Sequence, residues 1–224
     1  MYLGISILWD GNNLGRLLLG LWEAIKIAGV SLGFGIILGT FFGVIRTFPS
    51  SLIRIIFRIY LEIFRIIPLL VLLYVFYYIL PENFNIDLPN QLVSVLVFIL
   101  WISAEMSEII RSSLMSVSKH QIESGKALGF NRLQLYQYVY FPQGIKSAIP
   151  SMINLVTRVI KTTSLLMMIG VTEVIRVGQQ MIEHYAVTIS TAPLWIYGFI
   201  FMLYFIVCFP LNMAAKFWER RIGG

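Results

Sequence analysis

The chain has 224 residues, of which 58% are hydrophobic and 12% are charged, and its mean hydropathy is +0.82. A soluble domain carries about 25% charged residues, so this chain lacks the polar surface that encloses a water-soluble core, and a lipid bilayer is its expected solvent. The net charge of +6 does not indicate nucleic-acid binding, because the basic residues form no stripe with interleaved aromatic residues. The single cysteine, Cys208, excludes an internal disulfide framework.

Five apolar stretches are long enough to cross the hydrocarbon core of a bilayer, which is about 30 Å thick and needs about 20 helical residues. They cover residues 27–45, 61–80, 92–110, 151–171 and 194–213. Residues 1–16 are not expected to be a cleaved signal peptide, because they lack a basic-then-apolar order. The sequence therefore predicts an all-α membrane protein with five transmembrane helices, forming a single transmembrane domain over residues 1–224.

The charges between these spans predict the orientation of the chain. The segments that follow the first, third and fifth spans are basic, whereas residues 81–91 and 172–193 contain one basic residue, Arg176. Because basic loops remain in the cytoplasm, we expect the N-terminus outside and the C-terminus inside. The residues that carry this prediction are Arg46, Arg54, Arg58, Lys119, Lys126, Arg132, Lys146, Lys216, Arg220 and Arg221.

Glycines recur every fourth residue in the first span, at Gly35, Gly39 and Gly43. Small residues at this spacing allow another membrane helix to approach closely. Glycine is also common in membrane helices by chance, but the spacing favours a packing surface. Neither interpretation makes these residues a ligand site.

A long segment on the predicted cytoplasmic side, residues 112–150, separates the third and fourth spans. Connections of this length are usually functional or disordered, and this one has apolar residues at helical spacing. Gly129 interrupts that spacing where a helix can end. The pattern predicts two short amphipathic helices joined by a turn, which together suit docking to a partner; a surface helix pair without a partner is the alternative.

The same segment carries the most specific motif of the chain. From Glu123 to Pro142 it reads Glu-Ser-Gly-x3-Gly-x9-Val-x-Phe-Pro. This resembles the Glu-Ala-Ala-x3-Gly-x9-Ile-x-Leu-Pro loop of ATP-binding-cassette importer permeases, with mild departures at four positions. The resemblance implies a coupling helix that sits in a cleft of the ATPase subunit, and it assigns that contact to Glu123, Ser124, Gly125, Gly129, Val139 and Pro142.

Three shorter segments are similar to signatures of the polar amino acid uptake branch of that family, and they occur in the same order. They are residues 60–70, residues 103–111 and residues 161–166, where Thr162 replaces the usual Asp. The resemblance implies a permease in a prokaryotic cell (inner or plasma) membrane, with no catalytic residues and no cofactor of its own. It implies two ATPase subunits that hold ATP and magnesium, a second permease subunit (an identical chain or a paralogue) and an external substrate-binding protein. No phosphate-binding Gly-x4-Gly-Lys-Ser/Thr motif occurs in the sequence.

Charged residues within the predicted spans have two interpretations, because such charges are unfavourable by about 2.5–3.5 kcal/mol and face each other or a cavity. In the structural interpretation they pair between helices, and Glu108 pairs with Arg111 or Lys161. In the functional interpretation some line the substrate path, where an amino acid needs an anion near its ammonium group and a cation or donors near its carboxylate. The candidates for that path are Glu105, Lys161, Thr162, Thr163 and Ser164, the last four on locally unwound backbone.

A second group of charges lies near the predicted cytoplasmic interface. Arg58, Glu62 and Arg65 share one helix face, which predicts a row of salt bridges at the interface or, alternatively, an inner gate. Together with Glu108 and Arg158 they form the candidate set for helix pairing or gating.

Two other classes of function fit the hydrophobicity alone. An ion-coupled secondary transporter would account for buried carboxylates, but such folds usually contain repeats and five spans do not divide into halves. A membrane scaffold that transports nothing would leave the motif from Glu123 to Pro142 without a purpose.

Overall fold

The computed structural model describes residues 4–223, and this range is helical without any strand. Its α-helices are α1 (Asn13–Ile45), α2 (Ser51–Leu61), α3 (Leu69–Tyr74), α4 (Leu80–Phe84), α5 (Asn90–Met115), α6 (Lys119–Ala127), α7 (Arg132–Leu135), α8 (Phe141–Thr162), α9 (Val174–Tyr185) and α10 (Ala192–Gly223). Two 3-10 helices cover Gly4–Trp9 and Thr163–Ile169, and three π turns cover Glu62–Ile66, Val75–Ile79 and Tyr136–Tyr140.

Within residues 4–223, four helical stretches are long and apolar enough to cross a bilayer: Asn13–Ile45, Asn90–Met115, Arg132–Ile169 and Ala192–Arg221. A fifth exists only if the bent pair Ser51–Ile66 and Leu69–Phe84 counts as one span. The predicted second span, residues 61–80, is therefore wrong as a continuous helix. Ile67 is extended, with ψ of 131°, because the ring of Pro68 disfavours helical geometry in the residue before it.

The segment between α5 and α8 agrees only in part with the prediction of two short helices. The first, α6, is short and ends before Gly129. The second is not short, since α7 continues through the π turn Tyr136–Tyr140 directly into α8. Sequence spacing did not reveal this continuity, because proline usually interrupts a helix. The wider π turn Tyr136–Tyr140 before Pro142 keeps the helix running.

The described chain forms two compact units that interleave along the sequence: residues 4–31, 69–98 and 157–210, and residues 32–68, 99–156 and 211–223. The first unit contains a core where the Gly4–Trp9 helix, the start of α1, α9 and α10 meet. The Asn13 side-chain amide donates to the Ile7 carbonyl at 2.8 Å and to the Tyr185 hydroxyl at 3.1 Å. The Tyr185 hydroxyl in turn donates to Asp10 at 2.6 Å. These bonds join the N-terminal segment to α9.

A buried carboxyl group begins α9. Glu173 has no exposed surface, and its carboxylate accepts the backbone N–H groups of Ile175 and Arg176, each at 2.9 Å. Burial raises the pKa of Glu173 to about 7, although the two backbone hydrogen bonds act in the opposite direction. This carboxylate therefore caps the free N–H groups of the helix end.

In the second unit, α1 packs against α5 along the predicted glycine surface. A Cβ atom on Gly35 would lie 2.6 Å from Ile102 Cγ2, and one on Gly43 would lie 2.7 Å from Ile110 Cβ. Between them, a Cβ on Gly39 would lie 2.5 Å from Met106 Cβ and 2.8 Å from the Ser103 carbonyl oxygen. The prediction of a close helix contact is confirmed, and α5 is the helix that makes it.

Adding a single methyl group at this contact should therefore push α1 and α5 apart. We expect Gly39→Ala to lower the thermal midpoint of the detergent-purified protein, because overpacking costs about 1–3 kcal/mol. Gly29→Ala in the same helix is the matched control, since a Cβ there has no neighbour within 4 Å. It should leave the midpoint unchanged or raise it slightly, because alanine favours helix over glycine by about 1 kcal/mol. Equal midpoints for the two variants would contradict this packing.

Candidate coupling segment and substrate path

The left-handed backbone conformation of Gly129 ends α6. Gly129 has φ of +84°, a left-handed conformation that glycine adopts at low cost. Its N–H donates to the Lys126 carbonyl at 2.9 Å, and the N–H of Phe130 donates to the Gly125 carbonyl at 3.0 Å. These two bonds form a Schellman motif. The prediction that a helix ends at Gly129 is confirmed.

Gly125 holds α6 against the following helix. It is buried, and a Cβ there would lie 2.8 Å from Leu135 Cδ2. Val117, Leu135 and Val139 form the centre of this contact, and partly buried Ile122, Phe130 and Tyr140 pack around it. Two of the motif residues, Gly125 and Val139, therefore build the small core of the segment.

A reciprocal cap starts α7. The Asn131 side chain accepts the N–H of Gln134, and the Gln134 side chain accepts the N–H of Asn131, both at 2.9 Å. This capping box fixes the direction in which the chain leaves the turn at Gly129. The segment from α6 to α7 is thus a defined helix–turn–helix unit.

The other motif residues lie on the surface of this unit. Glu123, Ser124 and Pro142 are exposed, and the Ser124 hydroxyl donates to the His120 carbonyl at 2.9 Å. Beside them, Leu128 and Leu133 are 76% and 75% exposed. Large exposed apolar side chains next to charged residues are typical of a surface that contacts another protein.

The acidic residues of α5 are paired with arginines. Glu108 contacts Arg111 at 2.5 Å and Arg46 at 2.7 Å. The pairing with Arg111 confirms one of the two predicted partners. Arg46 was not anticipated, because it follows the first span and nothing in its spacing relates it to the third.

The arginine and glutamate row at the end of α2 is divided between two contacts. Arg58 pairs with Glu62 at 2.9 Å across one helical turn, as predicted. Arg65 instead donates to Glu105 at 3.2 Å, so the row does not continue within the helix. The Glu105 side chain is only 13% exposed, against 37% for Arg65.

The four polar residues from Lys161 to Ser164 lie where α8 changes into a 3-10 helix. This tighter helix replaces the unwound backbone that the sequence predicted. Thr162 donates to the Arg158 carbonyl at 2.7 Å, and Thr163 donates to the Ile160 carbonyl at 2.7 Å. Ser164 donates to the Lys161 carbonyl at 2.9 Å. Thr163 is buried, Thr162 and Ser164 are half-buried, and Lys161 is exposed.

One face of α8 is polar along its whole length. Its members recur every three or four residues and are exposed or half-buried: Gln143, Ser147, Ser151, Asn154, Arg158 and Lys161. The opposite face is buried and consists of small or apolar residues, including Gly144, Ala148, Leu155 and Val159. The helix therefore separates a packed face from a polar one.

Sequence reasoning missed two residues of this region. Glu173 was not singled out, although an acidic residue directly before an amphipathic pattern is a known signal for a helix start. Arg46 donates to Ser107 at 2.9 Å as well as to Glu108. This contact could have been predicted only by knowing that the first and third spans pack together. The glycine spacing of the first span predicts a close helix contact but does not identify the other helix.

Comparison with known proteins shows the family. Residues 34–223 match the family described as binding-protein-dependent transport system inner membrane component. The L-cystine transport system permease protein of Bacillus subtilis (strain 168) is 33% identical over 223 residues, which are 98% of this chain and 93% of that protein. The glutamine transport system permease protein of Escherichia coli (strain K12) is 28% identical over 218 residues, which are 97% of this chain and 96% of that protein.

Solved structures have the same fold. The crystal structure of an amino acid ABC transporter with histidines superimposes with a TM-score of 0.84 at 24% identity, over 93% of this chain and 94% of that chain. The inward-facing MetNI methionine ABC transporter superimposes with a TM-score of 0.72 at 18% identity, over 93% of this chain and 97% of that chain. The chain belongs to the binding-protein-dependent transport system inner membrane components, the permease subunits of ATP-binding-cassette importers.

Proposed function

We propose that the chain is the membrane-spanning subunit of an importer that carries a polar amino acid into the cytoplasm. The helix–turn–helix unit around Gly129, which presents Glu123 on its surface, carries this proposal. The cystine and glutamine permeases among its relatives support the substrate class. The chain has no enzymatic role in this scheme, because ATP and magnesium bind to a separate ATPase subunit.

The proposed assembly contains two ATPase subunits, a second permease subunit (a copy of this chain or a paralogue) and an external binding protein, in a prokaryotic cell membrane. The interleaved order of the two units supports the view that residues 1–224 act as one transmembrane domain, since neither unit is a contiguous piece of chain.

We propose an external N-terminus and a cytoplasmic C-terminus, with residues 51–84 as the second crossing. Three contacts support this orientation, because each joins segments assigned to the same side. Asp10 meets Tyr185, and Asn90 donates to the Ile169 carbonyl at 3.4 Å, on the proposed outer side. Thr47 meets Tyr136 through their hydroxyls at 2.7 Å on the proposed inner side.

Single cysteines test this orientation in a Cys208→Ser background. Glu82→Cys and Glu183→Cys occupy exposed positions on the proposed outer side, and we expect an impermeant maleimide to label both in intact cells. Lys119→Cys is the inner control and should be labelled only after the membrane is opened. Labelling of Lys119→Cys alone in intact cells would reverse the topology.

We propose that α6 docks to the ATPase subunit through Glu123, Ser124 and the exposed Leu128, while Gly125, Gly129, Val139 and Pro142 set its shape. The small core beneath α6 supports this division of roles, because it makes the unit rigid enough to transmit a displacement. In such a contact, Glu123 would supply an electrostatic interaction and the exposed Leu128 would supply buried apolar area.

The importer, reconstituted in liposomes with its ATPase and binding protein, should take up labelled amino acid only when ATP is supplied. Gly129→Val should abolish uptake, since a β-branched residue at positive φ costs about 1–2 kcal/mol and moves the turn. No atom lies within 4 Å of the new Cβ, so the defect comes from the backbone alone.

Gly129→Asn is the matched control, because asparagine tolerates left-handed geometry, and it should retain most of the uptake. Uptake driven by an ion gradient without ATP would reject the importer. Normal uptake by Gly129→Val would reject the coupling role of this turn while leaving the importer itself intact.

We propose that Glu105 lines the substrate path and that its carboxylate meets the substrate ammonium group. Its low exposure keeps that charge out of bulk water, where it would be screened. The ion pair with Arg65 provides the alternative, a purely structural role. The remaining pairs, Arg58 with Glu62 and Arg46 with Glu108, are proposed as helix-pairing or gate contacts.

We also propose that Lys161, Thr162, Thr163 and Ser164 line the path at the end of α8. The hydroxyl hydrogens of Thr162 and Ser164 are bonded to backbone carbonyls, so their oxygens remain as acceptors, whereas the buried Thr163 supports the same turn from the packed side. Such oxygens suit an ammonium group, whereas the exposed Lys161 suits a carboxylate. Arg158, one turn before, extends the same polar face and is proposed as a helix-pairing or gate residue.

Charge removal separates the two roles of Glu105. If it binds substrate, Glu105→Gln should lower uptake by roughly ten- to hundredfold, because a hydrogen bond to a charged group contributes about 1.5–3 kcal/mol. The double change Glu105→Gln with Arg65→Gln should restore complex yield, since removal of both partners leaves no buried unpaired charge.

Uptake by the double variant is the deciding measurement. It should stay low if Glu105 meets the substrate, and it should recover together with complex yield if the Arg65 pair is only structural. Arg65→Gln alone reports how much assembly depends on the ion pair between Arg65 and Glu105.

A further inference from the structure

A preformed apolar groove lies beside the coupling segment and is open to the surface. It has a volume of about 540 Å³ and is lined by the end of α1, the turn after it, Lys126 of α6 and the start of the helical run from Arg132. One of its lining residues, Val44, lies one residue before α1 ends. The groove is therefore level with the end of a transmembrane helix.

Aromatic contacts make the wall of this groove rigid. The Phe48 and Tyr136 rings are stacked with their centroids 5.9 Å apart, and the Tyr136 and Tyr140 rings are 4.9 Å apart. The Tyr136 hydroxyl is held by Thr47 at 2.7 Å. Tyrosines at this level are typical of the boundary between hydrocarbon and headgroups, and a preformed site loses little entropy when a ligand binds.

The charged residues of the groove are both basic. Lys126 and Arg132 are exposed, lie on opposite sides of the Gly129 turn, and are the only charged members of the ten lining residues. An apolar groove whose lining includes two exposed cations matches a ligand that has an apolar chain and an anionic head. Basic pockets beside membrane helices on the cytoplasmic side select such lipids.

We propose that this groove binds an anionic phospholipid of the cytoplasmic leaflet, with its phosphate between Lys126 and Arg132 and an acyl chain along Val44 and Phe48. The leaflet assignment rests on the proposed topology, whereas the binding itself does not. A lipid already occupies this depth of the bilayer, but a soluble partner would have to displace it to reach Val44. The lipid would then join α6 to α7 across their turn.

Native mass spectrometry of the intact importer complex tests this site. The complex is released from nanodiscs containing equal amounts of phosphatidylglycerol and phosphatidylcholine, and the retained lipids are counted. We expect selective retention of phosphatidylglycerol, and a loss of about twenty-five-fold in Lys126→Gln with Arg132→Gln, since each basic residue contributes about fivefold. Lys126→Arg with Arg132→Lys should retain the lipid, which shows that charge rather than a folding defect is responsible.

Two control variants give the result its specificity. Lys119→Gln with Lys146→Gln removes the same charge from the same segment outside the groove and should retain the lipid. Val44→Trp, which fills the groove without changing its charge, should release it. The amount of ATPase subunit that copurifies with each variant is measured separately. A variant that loses lipid but keeps the ATPase has lost the lipid site and not the proposed function.

Other occupants give opposite results. Equal loss of lipid in the Lys126/Arg132 and Lys119/Lys146 glutamine double variants would show diffuse attraction to the membrane. Equal retention of phosphatidylglycerol and phosphatidylcholine would show that the groove does not select the headgroup. Either result overturns the proposal. Displacement of the lipid by inorganic phosphate would indicate a free-anion site instead. A disulfide-length crosslink from Leu133→Cys to the ATPase or to a second permease, with no lipid retained, would assign the groove to that protein.

Discussion

Every backbone amide and carbonyl that enters hydrocarbon must find its hydrogen bond within the protein, because lipid offers none. Pro68, Pro81 and Pro142 challenge this constraint, since each lacks an N–H group and its ring crowds the carbonyl four residues earlier. Each follows a π turn by two residues, and the crowded carbonyl, of Phe64, Tyr77 or Tyr138, lies inside that turn.

The wider turns satisfy the backbone at these positions. The N–H of Leu80 donates to the Val75 carbonyl, and the N–H of Phe141 donates to the Tyr136 carbonyl, both five residues back. The helix therefore continues past Pro81 and Pro142, and α7 joins α8 without a break. At Pro68 the preceding residue becomes extended instead, and the helix stops.

The sequence predicted those features whose cause is local. Four of the five predicted spans follow from apolar length, whereas the second is broken before Pro68. The end of α6 before Gly129 follows from the backbone freedom of that glycine. The pairing of Glu108 with Arg111 follows from helical spacing. Arg46 with Glu108 and Arg65 with Glu105 were not predictable, because each joins residues about 40 to 60 positions apart and charge patterns do not specify which helices meet. The π turns were also missed, since proline is read as a helix end.

The contrast between α8 and α10 bears on where the substrate passes. From Leu194 to Phe209 the exposed face of α10 carries no charge and is mostly apolar, with Leu194, Phe201, Phe205 and Phe209 among its members, as expected of a helix in contact with lipid. The exposed face of α8 carries amides, hydroxyls and two cations over five helical turns. Lipid contact along that face would place the exposed side chains of Asn154 and Lys161 against hydrocarbon, where a charge alone costs about 2.5–3.5 kcal/mol. This cost favours water, substrate or a second permease, rather than lipid, against the polar face of α8, and the residues from Lys161 to Ser164 lie at the end of that face.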